Sequence, residues 1–107
     1  MEIAFKILWT DCAINQLKDI FDYHLVKASS NVAQRLVQKI IDATIILEKN
    51  PKAGRKEDLL ANRPQDFRFL IIKNYKIIYW IDYKFNIINV SMVFDTRQNP
   101  EKIHKVD

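Results

Sequence analysis

Residues 66–100 contain three consecutive segments in which apolar side chains alternate with other side chains at the period of two that a β-strand imposes. The short polar sequences Lys73-Asn74 and 82–86 separate these segments and predict turns. Three strands joined by such turns predict an antiparallel meander. The rest of the chain must therefore be arranged around this sheet.

The alternation assigns the side chains of the predicted sheet to two faces. We expect helices to cover the face that carries Tyr75 and Tyr79, since nearly all of its side chains are apolar or aromatic. The second face is too apolar for a surface that meets only water. Its predicted members are Arg68, Leu70, Ile72, Lys76, Ile78, Trp80, Asn89, Ser91 and Val93. Because the remaining sequence supplies one covering layer, we expect a partner to dock here; a sheet covered on both faces by its own chain is the alternative.

The first thirty residues predict a strand and then a helix. Alternating apolar side chains make residues 2–9 a strand, which ends at the helix N-cap pair Thr10-Asp11. Apolar side chains then recur at helical spacing and predict a helix from about Asp11 to about Lys27. His24 lies on the apolar side of this helix, where a histidine is more often packed than a ligand.

A second helix follows at once. Ser29-Ser30 interrupts the first pattern and supplies an N-cap, and residues 31–50 then carry apolar side chains at spacings of three and four. The short link makes the two helices antiparallel neighbours. The sequence thus predicts one α+β domain over residues 1–107. In it, an N-terminal strand and an antiparallel two-helix hairpin precede the three-stranded antiparallel meander, and the helices pack on one face of the sheet.

The distribution of charge indicates the kind of partner. The 107 residues carry a net charge of +4, and all of the excess lies in residues 51–107, since residues 1–50 contain six basic and six acidic residues. Such a distribution suits an anionic or acidic partner. The candidate anion-contacting residues before the meander are Lys52, Arg55, Lys56 and Arg63.

The cysteine and histidine content bears on the cellular compartment of the protein and on whether it binds a metal. The single cysteine, Cys12, excludes an internal disulfide and fits a reducing cytosol. With two histidines and no Cys/His cluster, the sequence predicts neither a metal site nor a cofactor. The N-terminal residues lack the features of a signal peptide or a membrane span, so we expect a cytoplasmic protein without membrane contact.

Several short motifs lie in an order that is typical of one protein family. They are Ala13, Leu17, Ile20 and Tyr23 in the first helix, Ala33 in the second, Leu47, Pro51 and Gly54 as L-x-x-x-P-x-x-G, Arg68, the sequence Tyr75-Lys76-Ile77-Ile78-Tyr79, and the segment 95–100. On these residues the chain resembles the RelE/ParE superfamily of bacterial toxins over nearly its whole length. The resemblance implies a toxin that is held inactive by an antitoxin from the same operon, in a toxin-antitoxin hetero-oligomer.

The family implies two different activities. Its RelE-like branch consists of metal-independent nucleases that cut messenger RNA on the ribosome, where basic residues stabilise the phosphate and a nearby base activates the ribose 2′-hydroxyl. Its ParE-like branch poisons DNA gyrase and has lost that catalytic set. For a nuclease, the resemblance implies the catalytic residues Arg68, Lys76, Arg97 and His104.

Two departures from the nuclease pattern favour the ParE-like branch. Lys76 stands where the nucleases have an arginine, and lysine lacks the bidentate fork that matches a phosphate. The pattern also requires a tyrosine near the end of the chain, and after Arg97 only His104 could act as acid or base. We therefore expect a toxin that acts by contact; a ribosome-dependent endoribonuclease and an inactive family member are the alternatives. The predicted partner-binding residues are Arg68, Leu70, Ile72, Lys76, Ile78, Trp80 and Arg97.

Overall fold

The predicted antiparallel meander is present and forms the middle of a five-stranded sheet, in a computed structural model that describes residues 4–97. The elements, in chain order, are β1 (Lys6–Trp9), α1 (Asp11–Lys27), α2 (Ser30–Ile45), β2 (Arg55–Lys56), β3 (Asp66–Ile72), β4 (Tyr75–Asp82) and β5 (Ile87–Asp95). Short 3-10 turns occupy Ile46–Glu48, Pro51–Ala53 and Asp58–Leu60. The strands lie side by side in the order β1-β5-β4-β3-β2.

The sheet is mostly antiparallel with one parallel pair. Strand β4 pairs antiparallel with both β3 and β5, as predicted. The N-terminal strand β1 joins the sheet parallel to β5, where Ile7 lies beside Ile88. The edge strand β2 pairs antiparallel with β3. Alternation does not predict β2, because two residues are too few to show a period.

The start of α1 is fixed to the sheet by its N-cap. The hydroxyl of Thr10 accepts a hydrogen bond from the amide of Ala13 at 3.2 Å and donates one to the carbonyl oxygen of Val90 at 3.1 Å. One side chain therefore satisfies a free amide at the helix end and joins the helix to β5. The bounds of α1 agree with the predicted ones.

The second helix begins as predicted and ends earlier. The hydroxyl of Ser29 accepts a hydrogen bond from the amide of Val32 at 3.2 Å, which caps α2. The α-helix stops at Ile45, short of the predicted residue 50, and tightens into a 3-10 turn. Asn50 is not helical, because the ring of Pro51 disfavours that conformation in the residue before it. No helix within residues 4–97 is long and apolar enough to cross a membrane.

The main core lies between the two helices and one face of the sheet. Tyr75 and Tyr79 are buried in it, which confirms that they face the helices. The other buried members of this core are Ala13, Ile20, Leu36, Ile40, Leu47, Ile77, Ile81, Ile88, Val90 and Val93. Burying one large apolar side chain stabilises a fold by about 1.5–3 kcal/mol, so this layer accounts for the position of both helices.

The L-x-x-x-P-x-x-G segment is joined to the centre of the sheet by Tyr79. The Tyr79 hydroxyl donates a hydrogen bond to the carbonyl oxygen of Pro51 at 2.7 Å and accepts one from the amide of Gly54 at 2.9 Å. Burial raises the pKa of Tyr79, so the hydroxyl keeps the proton that it donates. A Cβ atom on Gly54 would lie 2.6 Å from both this hydroxyl and the carbonyl oxygen of Phe69. Glycine is therefore required at position 54, because these two oxygen atoms leave no room for a Cβ atom.

We predict that Gly54→Ala destabilises the protein by about 1–3 kcal/mol, the usual cost of forcing an extra carbon into a packed site. Urea denaturation followed by circular dichroism measures the change in the free energy of unfolding. Ala53→Ser is the matched control, because Ala53 is the exposed neighbour and its added atom meets solvent. Equal stability of Gly54→Ala and the unmodified protein would contradict the packing argument.

Candidate functional site

The second face of the sheet, which points away from the helices, differs from the predicted one in its membership. Its rows across β3, β4 and β5 are Phe67-Trp80-Asn89, Phe69-Ile78-Met92 and Ile71-Lys76-Phe94. Lys76, Ile78 and Trp80 therefore lie where the alternation predicts them. Four other predicted members, Arg68, Leu70, Ile72 and Val93, lie on the helix side.

The prediction is wrong for Arg68, Leu70 and Ile72 because β3 is assigned one residue out of phase with β4. The turn Lys73-Asn74 contains two residues, so Ile72 pairs directly with Tyr75. Residues that pair directly share a face of the sheet, and a shift of one residue exchanges the faces of a whole strand. The two-residue length of the turn is the signal in the sequence that gives the correct face.

The prediction is also wrong for the second half of β5. Tyr79 pairs with Val90 but Ile78 pairs with Met92, so Ser91 is the extra residue of a β-bulge. Beyond this bulge Val93 joins the main core and Met92 faces away from the helices. A strict period of two gives no sign of such an insertion.

Part of the second face is covered by the chain itself. Leu60, in the segment between β2 and β3, packs there in a second, smaller core. The other buried members of this core are Phe67, Ile78, Met92 and Phe94. The expectation of a single covering layer is therefore wrong, because the irregular segment 57–65 supplies a second one.

The rest of the second face is accessible and apolar. Trp80 and Phe69 are half-buried at the rim of the smaller core. Ile71 is 48% exposed, and Leu8 of β1, which lies beside Asn89, is 53% exposed. These side chains form the part of the sheet on which a partner can bury apolar surface. We call this group, Leu8, Phe69, Ile71 and Trp80, the Trp80 patch.

Lys76 lies on the same face and is paired within the chain. Its Nζ atom is 2.5 Å from Oε2 of Glu57 and 4.2 Å from the centre of the Phe69 ring. Glu57 is only 5% exposed. Breaking this pair would leave an uncompensated buried carboxylate, which commonly costs several kcal/mol. The ammonium group of Lys76 is therefore held in place as part of the fold.

Arg68 is also bound by its own chain, on the helix side. Its Nε atom lies 3.2 Å from Oδ1 of Asp66, and its Nη1 atom donates to the carbonyl oxygen of Gly54 at 3.0 Å. The hydroxyl of Tyr83 donates to the same carboxylate at 2.7 Å. Burial alone would raise the pKa of Asp66, but the bond from Tyr83 and the charge of Arg68 lower it. Burial and the bond to Asp66 raise the pKa of Tyr83 to about 12.

Arg97 lies just past the end of β5 and faces α1. Its Nε and Nη2 atoms donate to both carboxylate oxygens of Asp95, at 2.9 and 2.5 Å. These hydrogen bonds lower the pKa of Asp95, against a smaller opposing effect of burial. Arg97 lines a cleft of about 450 Å³ between α1 and the end of β5. Arg97 therefore lies beside α1, and not on the second face with Lys76, Ile78 and Trp80.

The cleft beside Arg97 is a feature that the sequence analysis does not predict. Its wall includes Tyr23 and Tyr75, and the hydroxyl of Tyr75 is 2.9 Å from Nε2 of His24. The position of His24 on the apolar side of α1 is the only signal of this contact in the sequence. Within residues 4–97, no group of three or more His, Cys, Asp or Glu side chains is arranged to hold a metal ion.

The candidate catalytic residues are not brought together. Arg68 lies beside Tyr79 and Asp95 lies beside Tyr75, so the backbones of Arg68 and Asp95 are about 13 Å apart along the strand direction, and Arg97 follows Asp95 beyond the end of β5. Lys76 points to the opposite face from Arg68. His104 lies outside the described residues. The carboxylates that pair with these cations, Glu57, Asp66 and Asp95, were not identified from the sequence.

Comparison with known proteins identifies the family. The family model for the ParE toxin of type II toxin-antitoxin systems, parDE, matches residues 7–100. No curated protein matches the chain.

Solved structures with the same fold come from toxin-antitoxin complexes. The chromosomal ParDE system of P. aeruginosa matches with 20% identity and a TM-score of 0.73, covering 90% of this chain and 100% of that one. The RelBE2 complex of Mycobacterium tuberculosis matches with 14% identity and a TM-score of 0.63, covering 87% and 99%. The archaeal RelE-RelB complex of Pyrococcus horikoshii OT3 matches with 12% identity and a TM-score of 0.51, covering 90% and 99%. These likenesses show the RelE/ParE fold.

Because the family match spans nearly the whole chain and the fold agrees with it, this protein belongs to the ParE toxin family of type II toxin-antitoxin systems.

Proposed function

We propose that this toxin acts by binding its cellular target, DNA gyrase, and not by cutting RNA. The observation that carries the proposal is the state of the three basic residues that the nuclease pattern requires. Arg68, Lys76 and Arg97 each pair with a carboxylate of their own chain. They also lie at separate positions, two on the helix side of the sheet and one on the second face.

This arrangement does not suit phosphate chemistry. Stabilising the charge that develops on a scissile phosphate requires donors that converge on one point. Here the Lys76 ammonium would first have to leave the buried Glu57 carboxylate, and Arg68 would have to leave Asp66 and Gly54. The cost of freeing a buried ion pair opposes such a change.

We propose an antitoxin as the second partner, in a hetero-oligomer located in the cytoplasm. The family is defined by toxin-antitoxin systems, and the similar solved structures are complexes of this kind. The Trp80 patch supplies the apolar surface that a partner needs, and tryptophan is enriched at binding hot spots. Of the predicted partner-binding residues, Lys76, Ile78 and Trp80 lie on the face that carries this patch, and Ile78 is fully buried under it.

Expression of the toxin alone in bacteria should arrest growth without cutting messenger RNA. The expected readouts are intact transcripts in sequencing of RNA from arrested cells, and double-strand DNA breaks that are absent in a strain with toxin-resistant gyrase. The matched controls are Arg97→Ala and Lys84→Ala, two exposed cations of which only the first belongs to the nuclease pattern. Transcript cleavage at ribosomal A sites that Arg97→Ala abolishes and Lys84→Ala preserves would establish the nuclease alternative. Normal growth with folded protein present would indicate an inactive family member.

For the antitoxin encoded beside the toxin, we predict that Trp80→Ala weakens binding by about 2 kcal/mol or more, as removal of a central aromatic commonly does. Lys84→Ala should change affinity little, because a charge in the turn after β4 affects mainly the association rate. Isothermal titration calorimetry measures both.

Trp80 also packs against Phe67, with ring centres 6.5 Å apart, so its removal also takes away a packing contact within the fold. Leu8→Glu tests the same surface at an exposed strand position without opening a core. It should weaken binding while circular dichroism shows an unchanged melting temperature. Unaltered affinity of both Trp80→Ala and Leu8→Glu would place the antitoxin on another surface.

A further inference from the structure

A cleft of about 430 Å³ lies between α2 and the turn that joins β3 to β4, and it shares no residue with the Trp80 patch. Four of its five lining residues, Val32, Arg35, Leu36 and Lys39, come from α2. Their spacing places them on one side of the helix. The fifth, Lys73, is the first residue of the β3–β4 turn and closes the cleft from the sheet.

Three cations face this cleft, and none of them has a counterion among residues 4–97. Arg35, Lys39 and Lys73 are all exposed, and no carboxylate within residues 4–97 forms an ion pair with any of them. The cations of the nuclease pattern, in contrast, are each neutralised internally. Like charges around one concave surface repel each other, and an anion bound between them would relieve that repulsion.

The floor of the cleft is apolar. Val32 is 45% exposed and Leu36 lies behind it, nearly buried. A purely ionic ligand would leave this floor in contact with water. A ligand that combines carboxylates with an apolar side chain would satisfy both parts of the cleft.

Lys73 is not the residue type that its backbone conformation favours. Its φ angle is 53°, in the left-handed region that glycine and asparagine adopt more easily than lysine. Asparagine would suit this turn better, and Asn74 already stands next to it. Strained positions of this kind are more frequent at functional sites than elsewhere.

We propose that the cleft between α2 and the β3–β4 turn binds an acidic segment of a partner protein, with carboxylates on Arg35, Lys39 and Lys73 and one aliphatic side chain on Val32. None of the five lining residues is aromatic, so the cleft offers no platform on which a nucleic-acid base would stack. This favours a peptide over single-stranded nucleic acid. Binding at this cleft is measured directly and does not depend on the cellular target proposed above.

The test is a fluorescence anisotropy titration of the full-length protein with a labelled twelve-residue peptide in which each leucine is followed by two glutamates. We expect saturable binding that weakens as salt rises from 50 to 300 mM, the behaviour of exposed ion pairs. The double variant Lys39→Gln/Lys73→Asn should bind about fivefold or more weakly, since two exposed ion pairs are lost. Lys18→Gln, at an exposed lysine in the middle of α1, is the matched control and should stay within about twofold of the unmodified protein.

A second measurement separates binding from folding. Because asparagine adopts a left-handed φ more easily, Lys73→Asn alone should leave the melting temperature unchanged or raise it while the peptide affinity falls. A purely structural role for Lys73 would lower both together. Equal affinity for a peptide with glutamine in place of glutamate, or equal affinity of the double variant, would overturn the proposal. Tighter binding of a twelve-nucleotide oligothymidine than of the peptide would overturn it in favour of a nucleic-acid surface.

Discussion

The hydroxyl of Tyr79 is the contact on which the arrangement of loop and sheet depends. It stands on the central strand β4, is fully buried, and bonds to two backbone groups of the segment 51–54. With that segment held against the sheet, the carbonyl oxygen of Gly54 becomes an acceptor for Arg68. Arg68 in turn holds Asp66, which binds Tyr83 after β4. A single buried hydroxyl thus organises a chain of polar contacts from the loop to the far end of β4.

Pairing within the chain decides which basic residues are available to a partner. The net charge of +4 counts all cations equally, but the structure divides them into two groups. Those of the nuclease pattern are held by Glu57, Asp66 and Asp95, and the first of these carboxylates is almost inaccessible to water. An ion pair with a buried carboxylate is maintained because an unpaired charge there is costly. The presence of these three basic residues in the sequence is therefore not evidence that the protein binds phosphate.

Much of the fold follows from periodicity and capping. The bounds of α1, the serine cap of α2, the two turns and the three meander strands agree with the sequence because each depends on local chemistry. The faces of the sheet depend on register, which the two-residue turn sets for β3 and the bulge at Ser91 resets for β5. The bond from Arg68 to the carbonyl oxygen of Gly54 depends on where the segment 51–54 lies, and the partner of Lys76 depends on where the irregular segment 57–65 crosses the sheet. Such contacts are tertiary, and neither alternation nor spacing predicts them.

The parallel pairing of β1 with β5 joins the two ends of the described chain. The hydroxyl of Thr10 reaches the carbonyl oxygen of Val90 across 80 positions of sequence. Contacts so distant in sequence form late, because the loop between them must close before they stabilise anything. A nascent chain that lacks β5 therefore has neither the neighbour of its first strand nor the oxygen that anchors its first helix. For a toxin, this means that the complete fold cannot form before β5 has been synthesised.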